Sequence, residues 1–323
     1  MKAIQFDQVG GTEVLKYIDM DCPEPGPGEI QIRHGAIGVN FIDTYQRTGL
    51  YPLPLPARLG LEAAGTVVSI GSGVSGFKVG ERAGYCTGPV GAYADLNNVP
   101  EARAVKLPDS IDDATAAGSM LKGMTAYFLL RRVFDVKTGQ TILFHAAAGG
   151  VGTIACAWAK HLGATVIGTV GSPEKAALAK AHGCHHTINY TNENFVERVK
   201  DITAGEGVPV VYDSVGKTTV PGSLNCLSKR GMLVNFGNAS GPADPINLLD
   251  LAKKGSLFVT RPTLFDYITN KQELDTAANE LFENIENGAI KIEINQRFSL
   301  ADIAMAHEAL ETRKTTGATI LIP

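Results

Sequence analysis

Thr141-Ile142-Leu143-Phe144-His145 runs directly into Ala146-Ala147-Ala148-Gly149-Gly150-Val151-Gly152, and a helix-compatible segment with Ile154, Ala155 and Trp158 follows. A short apolar strand, a small-residue turn and an apolar helix in that order form a phosphate-binding turn. Aligned to Gly-x-Gly-x-x-Gly, Ala147 takes the first glycine position, Gly149 the second and Gly152 the third. The second lets backbone approach a pyrophosphate, and the third lets helix and strand pack closely. The helix then presents unpaired N–H groups to the anion. The turn is therefore expected to bind a dinucleotide, with the Gly149 backbone approaching its pyrophosphate.

Reading outward from this turn, strand and helix patterns alternate. Apolar runs lie at 141–145, 165–170, 186–190, 209–214, 232–237 and 257–261. Helix-compatible segments lie between them at 151–162, 173–182, 194–203, 217–227 and 248–253. Six buried strands joined by helices predict an α/β fold with a doubly wound parallel sheet. At the end of the second strand the chain reads Gly168-Thr169-Val170-Gly171-Ser172-Pro173-Glu174-Lys175. An acid about 20 residues beyond the first glycine would hold a free ribose hydroxyl. The strand tip is glycine instead, and Ser172 and Lys175 can donate to a 2′-phosphate. NADPH is the expected cofactor. Ser172 also suits a helix N-cap with Pro173 at the first helical position, a role compatible with phosphate binding. Glu174 is expected to point along the surface.

The rest of the composition narrows the function. The chain has 323 residues, 44% hydrophobic and 19% charged, which suits two globular domains. A net charge of −4 with no basic block argues against nucleic acid. No apolar run approaches the roughly 18 residues of a membrane span. Asp7 comes too early for a signal-peptide core. The cysteines number five, without a Cys-x-x-Cys pair, so neither a disulfide framework nor a zinc knuckle is suggested. A cytoplasmic location is expected.

Before residue 122 the pattern is different. Short β-rich runs at 1–7, 15–21, 29–40, 63–71, 92–99 and 104–108 alternate with turn signals. That spacing reads as a β-rich, partly open barrel. Helical signal begins at 111–118 and continues through 120–133. After 262 a helix at 270–287, a strand at 292–298, a helix at 300–313 and a strand at 317–323 are expected to rejoin the first domain. The expected domains are 1–122 with 262–323, and 123–261.

Several segments carry a resemblance. They are Gly38-Val39-Asn40-Phe41-Ile42-Asp43-Thr44-Tyr45, Gly60-Leu61-Glu62-Ala63-Ala64-Gly65, Leu121-Lys122-Gly123-Met124-Thr125-Ala126-Tyr127, Tyr212-Asp213-Ser214-Val215-Gly216, Phe236-Gly237-Asn238 and Val259-Thr260-Arg261-Pro262. Together with Ala147–Gly152 the chain resembles, over its whole length, the medium-chain dehydrogenase/reductase superfamily. It is most similar to the zinc-free quinone oxidoreductase branch that includes zeta-crystallin. The resemblance implies a GroES-like first domain, NADPH:quinone oxidoreductase activity and an oligomer. Zinc alcohol dehydrogenases of the superfamily place a Cys after Gly-Val and a His in Gly-His-Glu. Here those positions are Asn40 and Leu61, and Leu61 cannot ligate, so no metal is expected. Glu62 and His34 read as structural or surface groups.

The resemblance puts Asn40, Asp43 and Tyr45 beside the nicotinamide, with Thr125 nearby. It puts Gly149, Gly150 and Val151 under the pyrophosphate, Gly171, Ser172 and Lys175 around the adenosine phosphate and Tyr190 near the adenine. Ser214, Phe236, Gly237 and Asn238 follow strands four and five, and Val259, Thr260 and Arg261 lie at the return to the first domain. Arg313 is placed to reach the cofactor from the last helix. The quinone is expected between the domains, near Asn40, with Tyr45 and Tyr51 as hydrogen-bond donors or stacking rings. No Ser/His/Asp or Cys/His nucleophile set is suggested. Two other functions remain open: reduction of enones with the same cofactor, and NADPH binding without catalysis. Leu257-Phe258-Val259-Thr260 reads as an apolar edge strand, which invites a homodimer through the cofactor domain.

Overall fold

In the computed structural model, which describes residues 1–323, the chain divides into two units. Unit 1 comprises Met1–Met124, Ile268–Glu286 and Ile292–Pro323; unit 2 comprises Thr125–Tyr267 and Asn287–Lys291. The anticipated return at 262 compares with 268 here. Tyr267 stacks on Phe128 with ring centroids 4.9 Å apart, and Leu264 is buried, so this stretch stays with unit 2.

Unit 1 is built from β1 (Lys2–Phe6), β2 (Lys16–Asp19), β3 (Glu29–Val39), β4 (Ala57–Arg58), β5 (Glu62–Ile70), β6 (Arg82–Tyr85), β7 (Leu96–Pro100) and β8 (Val105–Lys106). It also holds α1 (Phe41–Arg47), and α2 (Asp113–Phe128) starts in it. β3 is the long central strand. Ile30, Ile32, His34 and Ala36 alternate inward, as period-two patterning requires. It pairs antiparallel with both β5 and β7. Ile4, Phe6, Ile30, Ile32, Ile37, Leu59 and Tyr93 share one apolar core with residues from the chain's end.

Unit 2 contains β9 (Thr141–Phe144), α3 (Gly150–His161), β10 (Thr165–Val170), α4 (Pro173–Ala181), β11 (His186–Asn189), α5 (Phe195–Ile202), β12 (Val208–Asp213), α6 (Val220–Cys226), β13 (Leu227–Asn235), α7 (Leu248–Lys253) and β14 (Phe258–Thr260). The sheet order is β11-β10-β9-β12-β13-β14, every pair parallel, with the crossover point between β9 and β12. This is the doubly wound sheet anticipated from the alternation. The chain then returns through α8 (Lys271–Glu286), β15 (Ile294–Ser299), α9 (Ile303–Glu311) and β16 (Ala318–Ile322). β16 pairs antiparallel with β3, so the last strand rejoins unit 1.

Two elements carry no expectation, one expected strand shortens, and the continuous helical signal is borne out. Phe41–Arg47 is a helix, and Arg82–Tyr85 is a strand; both lack a clear period. Residues 92–95 turn rather than extend, with Tyr93 directed into the core, and the strand starts at Leu96. The segments 111–118 and 120–133 form one helix ending in a π turn at Leu129–Val133. Tyr212 Oη donates to the Leu129 carbonyl there, at 3.1 Å. No helix is long and apolar enough to cross a membrane.

Candidate functional site

In unit 2 the carboxyl ends of the parallel strands carry most of the expected residues. After β9, Ala146 takes a φ of 53° and turns the chain. Gly149 is the N-cap of α3 and supplies no side-chain cap. The first-turn N–H groups of α3 have no acceptor within the helix. A Cβ on Gly152 would lie 2.4 Å from the Ala146 carbonyl oxygen, so only glycine lets α3 approach the turn. At Gly149 the nearest atom to a Cβ would be 3.2 Å away, which leaves its outer side open. The residues present fit a dinucleotide pyrophosphate.

At the end of β10 a Cβ on Gly171 would lie 2.6 Å from Tyr190 Oη, so the Tyr190 ring reaches across Gly171. Ser172 Oγ caps α4 by accepting the Lys175 N–H at 3.2 Å. Glu174 is exposed at the surface, as expected. Its carboxylate bonds the Ser172 side chain, which holds it below the usual carboxylate range. In this state the Ser172 hydroxyl is engaged within its own helix end, and Lys175 is the remaining cation of the motif.

The ends of β12 and β13 are tied together. Phe236 N–H donates to the Asp213 carbonyl at 2.8 Å, and Ala239 N–H to that of Ser214 at 3.2 Å. Asp213 is fully buried. Its Oδ1 accepts from Val215 N at 2.9 Å, Gly216 N at 3.0 Å and Thr219 Oγ1 at 2.8 Å; its Oδ2 accepts from Ser223 Oγ at 2.9 Å. His145 Nε2 lies 2.9 Å from the same Ser223 Oγ, and Nδ1 lies 2.9 Å from Thr169 Oγ1. The sequence suggests no Ser/His/Asp set, yet the fold assembles one. It is not a nucleophile array. The Ser223 proton goes to Asp213 rather than to the histidine, and Ser223 is fully buried. Val259 and Thr260 lie on the edge strand β14, and Arg261 follows it.

Asn40, Asp43, Tyr45, Tyr51 and Arg313 belong to unit 1, while Thr125 and the others above belong to unit 2. Asn40 is the N-cap of α1. Its Nδ2 donates at 2.8 Å to Glu62 Oε2, and Glu62 also accepts from Lys122 Nζ at 3.2 Å and from Leu121 N at 2.7 Å. Glu62 is fully buried and structural; a Cβ on Gly38 would stand 2.1 Å from its Oε2. Zinc does not fit the two positions named above. Asn40 spends an N–H on a carboxylate, Leu61 is apolar, and no group of three or more His, Cys, Asp or Glu converges as a metal site.

The rings of Tyr45 and Tyr51 meet edge to face with centroids 5.3 Å apart, and Phe41 lies 6.2 Å from Tyr45. Tyr51 N–H donates to the Tyr45 carbonyl at 3.0 Å, which keeps the pair together. Arg313 is the exposed residue just past the end of α9, with a φ of 59°. Asp43 is the surprise. It is fully buried, its Oδ2 accepts from Asn40 N at 2.8 Å and Tyr93 Oη at 2.7 Å, and its Oδ1 has no partner. Burial pushes its carboxyl up to about 7, against the two hydrogen bonds. Glu62 is structural as expected, whereas Tyr93, His307, Arg47 and Lys122 were not anticipated. Their partners lie far away in sequence, and no local spacing signals them.

Comparisons with known proteins give the following. The family described as alcohol dehydrogenase GroES-like domain matches residues 26–109, and the one described as zinc-binding dehydrogenase matches residues 150–283. A quinone oxidoreductase of Pseudomonas aeruginosa is 56% identical over 323 residues, covering 100% of this chain and 99% of the relative. A 2-haloacrylate reductase of a Burkholderia species is 47% identical over 322 residues, covering 97% and 96%. The crystal structure of Escherichia coli quinone oxidoreductase complexed with NADPH is 50% identical, covers 100% of both chains and has a TM-score of 0.99.

Proposed function

The chain belongs to the quinone oxidoreductases of the medium-chain dehydrogenase/reductase superfamily, and from that premise we propose that it passes hydride from NADPH to a quinone without a metal. The observation that carries the reading is the 2.8 Å bond from Asn40 Nδ2 to Glu62. It commits to structure a position where the zinc relatives carry a ligand. Without a Lewis acid the acceptor has to be electrophilic by itself, and quinones meet that demand better than simple ketones. NADPH supplies the hydride when bound. The first-turn N–H groups of α3 hold its pyrophosphate, and Lys175 holds its 2′-phosphate. Tyr45 and Tyr51 offer ring faces to the quinone and a hydroxyl to the oxygen that gains charge. Purified protein should oxidise NADPH with a simple quinone at a rate that chelator leaves unchanged, and elemental analysis should find no stoichiometric zinc. One tightly bound zinc per chain would reject the metal-free account; tight NADPH binding without turnover would reject catalysis.

The similarity to 2-haloacrylate reductase favours a second reading, reduction of an activated alkene by the same cofactor geometry. We also infer a homodimer through β14. That strand pairs only with β13, and Phe258 is 57% and Val259 38% exposed. A two-fold partner would cover this apolar edge. Light scattering should give twice the chain mass at micromolar concentration; a persistent monomer would reject it. Cys156 and Cys184 share a hydrogen bond as free thiols, which suits a cytoplasmic location. Fractionation that recovers the protein outside the cytoplasm would reject that location.

A further inference from the structure

α1 is seven residues long, too short to be stable alone, and it carries Tyr45. Both of its ends are held by buried polar side chains. In the first turn Asp43 accepts from Asn40 N and Tyr93 Oη. In the last turn Arg47, only 2% exposed, bonds the Gly10 carbonyl through Nε at 3.1 Å and Glu311 Oε1 through Nη2 at 2.6 Å. Between these ends stands His307 of α9. Its Nε2 lies 3.1 Å from Tyr93 Oη, and its Nδ1 lies 3.1 Å from Arg47 Nη1.

The direction of this line is fixed by chemistry. A guanidinium can only donate, so His307 Nδ1 accepts and its proton sits on Nε2. Nε2–H then donates to Tyr93 Oη, and the Tyr93 proton goes to Asp43 Oδ2. The opposite tautomer would set a donor against Arg47 and leave Tyr93 with no proton from His307. Burial and the Arg47 charge push His307 down to about 3, so it stays neutral at working pH. Four side chains from three separate parts of the chain thus form a one-way file of donors ending on one carboxylate.

We propose that His307 is a positioning residue for the quinone site, locking α1 and its Tyr45 through Tyr93 and Asp43. The proposal rests on the reading that Tyr45 faces the acceptor. His307 is fully buried, so it acts through α1 and not on substrate. The file is strongest when Asp43 is ionised, because a carboxylate is a better acceptor than a neutral carboxyl. The other charged groups facing Asp43 are Lys122 from α2, which favours the carboxylate, and Glu62 from β5, which opposes it. Turnover should therefore show an acid limb near neutral pH that reports Asp43.

The test compares His307→Leu, His307→Gln, Tyr93→Phe and Tyr45→Phe in the full chain. For each, kcat with a simple quinone is measured across pH, along with NADPH affinity and thermal stability. His307→Leu and Tyr93→Phe should lower kcat roughly ten- to 100-fold with NADPH affinity unchanged. Tyr93→Phe removes only one oxygen, so it keeps the test open if His307→Leu does not fold. Its acid limb should move upward by about one unit, because the carboxylate loses a donor. His307→Gln keeps an acceptor for Arg47 and a donor for Tyr93, and should restore most of the rate. Loss of thermal stability with kcat and its pH profile as in wild type would overturn the proposal, as would an equal loss of NADPH affinity. A Tyr45→Phe effect without a His307 or Tyr93 effect overturns the positioning role alone. No effect from any of the variants overturns the role of α1 at the acceptor as well.

Discussion

Each unit buries one neutral histidine in a file of donors that ends on an aspartate, and the two files end differently. In unit 2 Thr169, His145 and Ser223 lead to Asp213, where four donors cover both carboxylate oxygens. In unit 1 Arg47, His307 and Tyr93 lead to Asp43, where two donors share Oδ2 and Oδ1 is bare. The first aspartate is a fastener. It holds the loop after β12, beside the ends of the other parallel strands, in one geometry. The second is a carboxylate whose burial is only partly offset, so its protonation responds near neutral pH. Counting donors per oxygen separates an anchor with both oxygens satisfied from a carboxylate with one oxygen bare, although both are fully buried.

The largest expected effect tests the fastener. Asp213→Ala would strand four donors, each worth about 1 to 3 kcal/mol when buried and unpaired. Equilibrium unfolding should show a loss on the order of 5 kcal/mol, with NADPH binding abolished. A loss below about 1 kcal/mol would mean that water replaces Asp213 easily, and the contrast with Asp43 would collapse.

The next effect concerns the titrating aspartate. Its folded value of about 7 lies above the ordinary 3.8, so the native state prefers the protonated form. The resulting stability is fully present below the ordinary value and is lost as pH rises from about 4 through about 7, at about 1.4 kcal/mol per unit. Asp43→Asn cannot ionise, so its stability relative to wild type should rise across that window and level off above it. Parallel curves for the two proteins would show that Asp43 is not perturbed. His307, held down to about 3, and His34, held down to about 4 by burial, act with the opposite sign. Their contribution is present above 6.5 and is lost as pH falls towards those values.

The smallest effect asks whether unit 2 recognises the phosphate that distinguishes NADPH. A charged hydrogen bond contributes about 1.5 to 3 kcal/mol, so Lys175→Ala should weaken NADPH binding roughly ten- to 150-fold. NADH binding, titrated in parallel by fluorescence, should be almost unaltered. Equal losses for both would place Lys175 at the shared pyrophosphate or in the fold.

The same contrast shows what could be read from the chain. Unit 2 was legible because its signals are local. A strand, Gly149–Gly152 and a helix lie in one continuous stretch from Thr141 to His161, and the periodic runs repeat in order. The strand-end positions Gly171, Ser214 and Gly237 followed from those strands. Unit 1 was legible as β-rich but not as a set of partners. Tyr93 looks like a strand residue, His307 like a core residue of an amphipathic helix, and they meet across 214 positions. The turn at 92–95 brings Tyr93 and α1 brings Arg47 to His307, and no period announces either element. Glu174 is exposed as expected, and the bond between its carboxylate and the Ser172 side chain is the detail that spacing alone does not announce.

Substrate preference tests the central claim most directly. Initial rates of NADPH oxidation by the wild-type protein would be compared across simple quinones and activated alkenes, including a 2-haloacrylate. Quinones are expected to be the faster group, with chelator making no difference. Alkenes reduced far faster than every quinone tested would contradict the quinone assignment, while the cofactor site in unit 2 would stand.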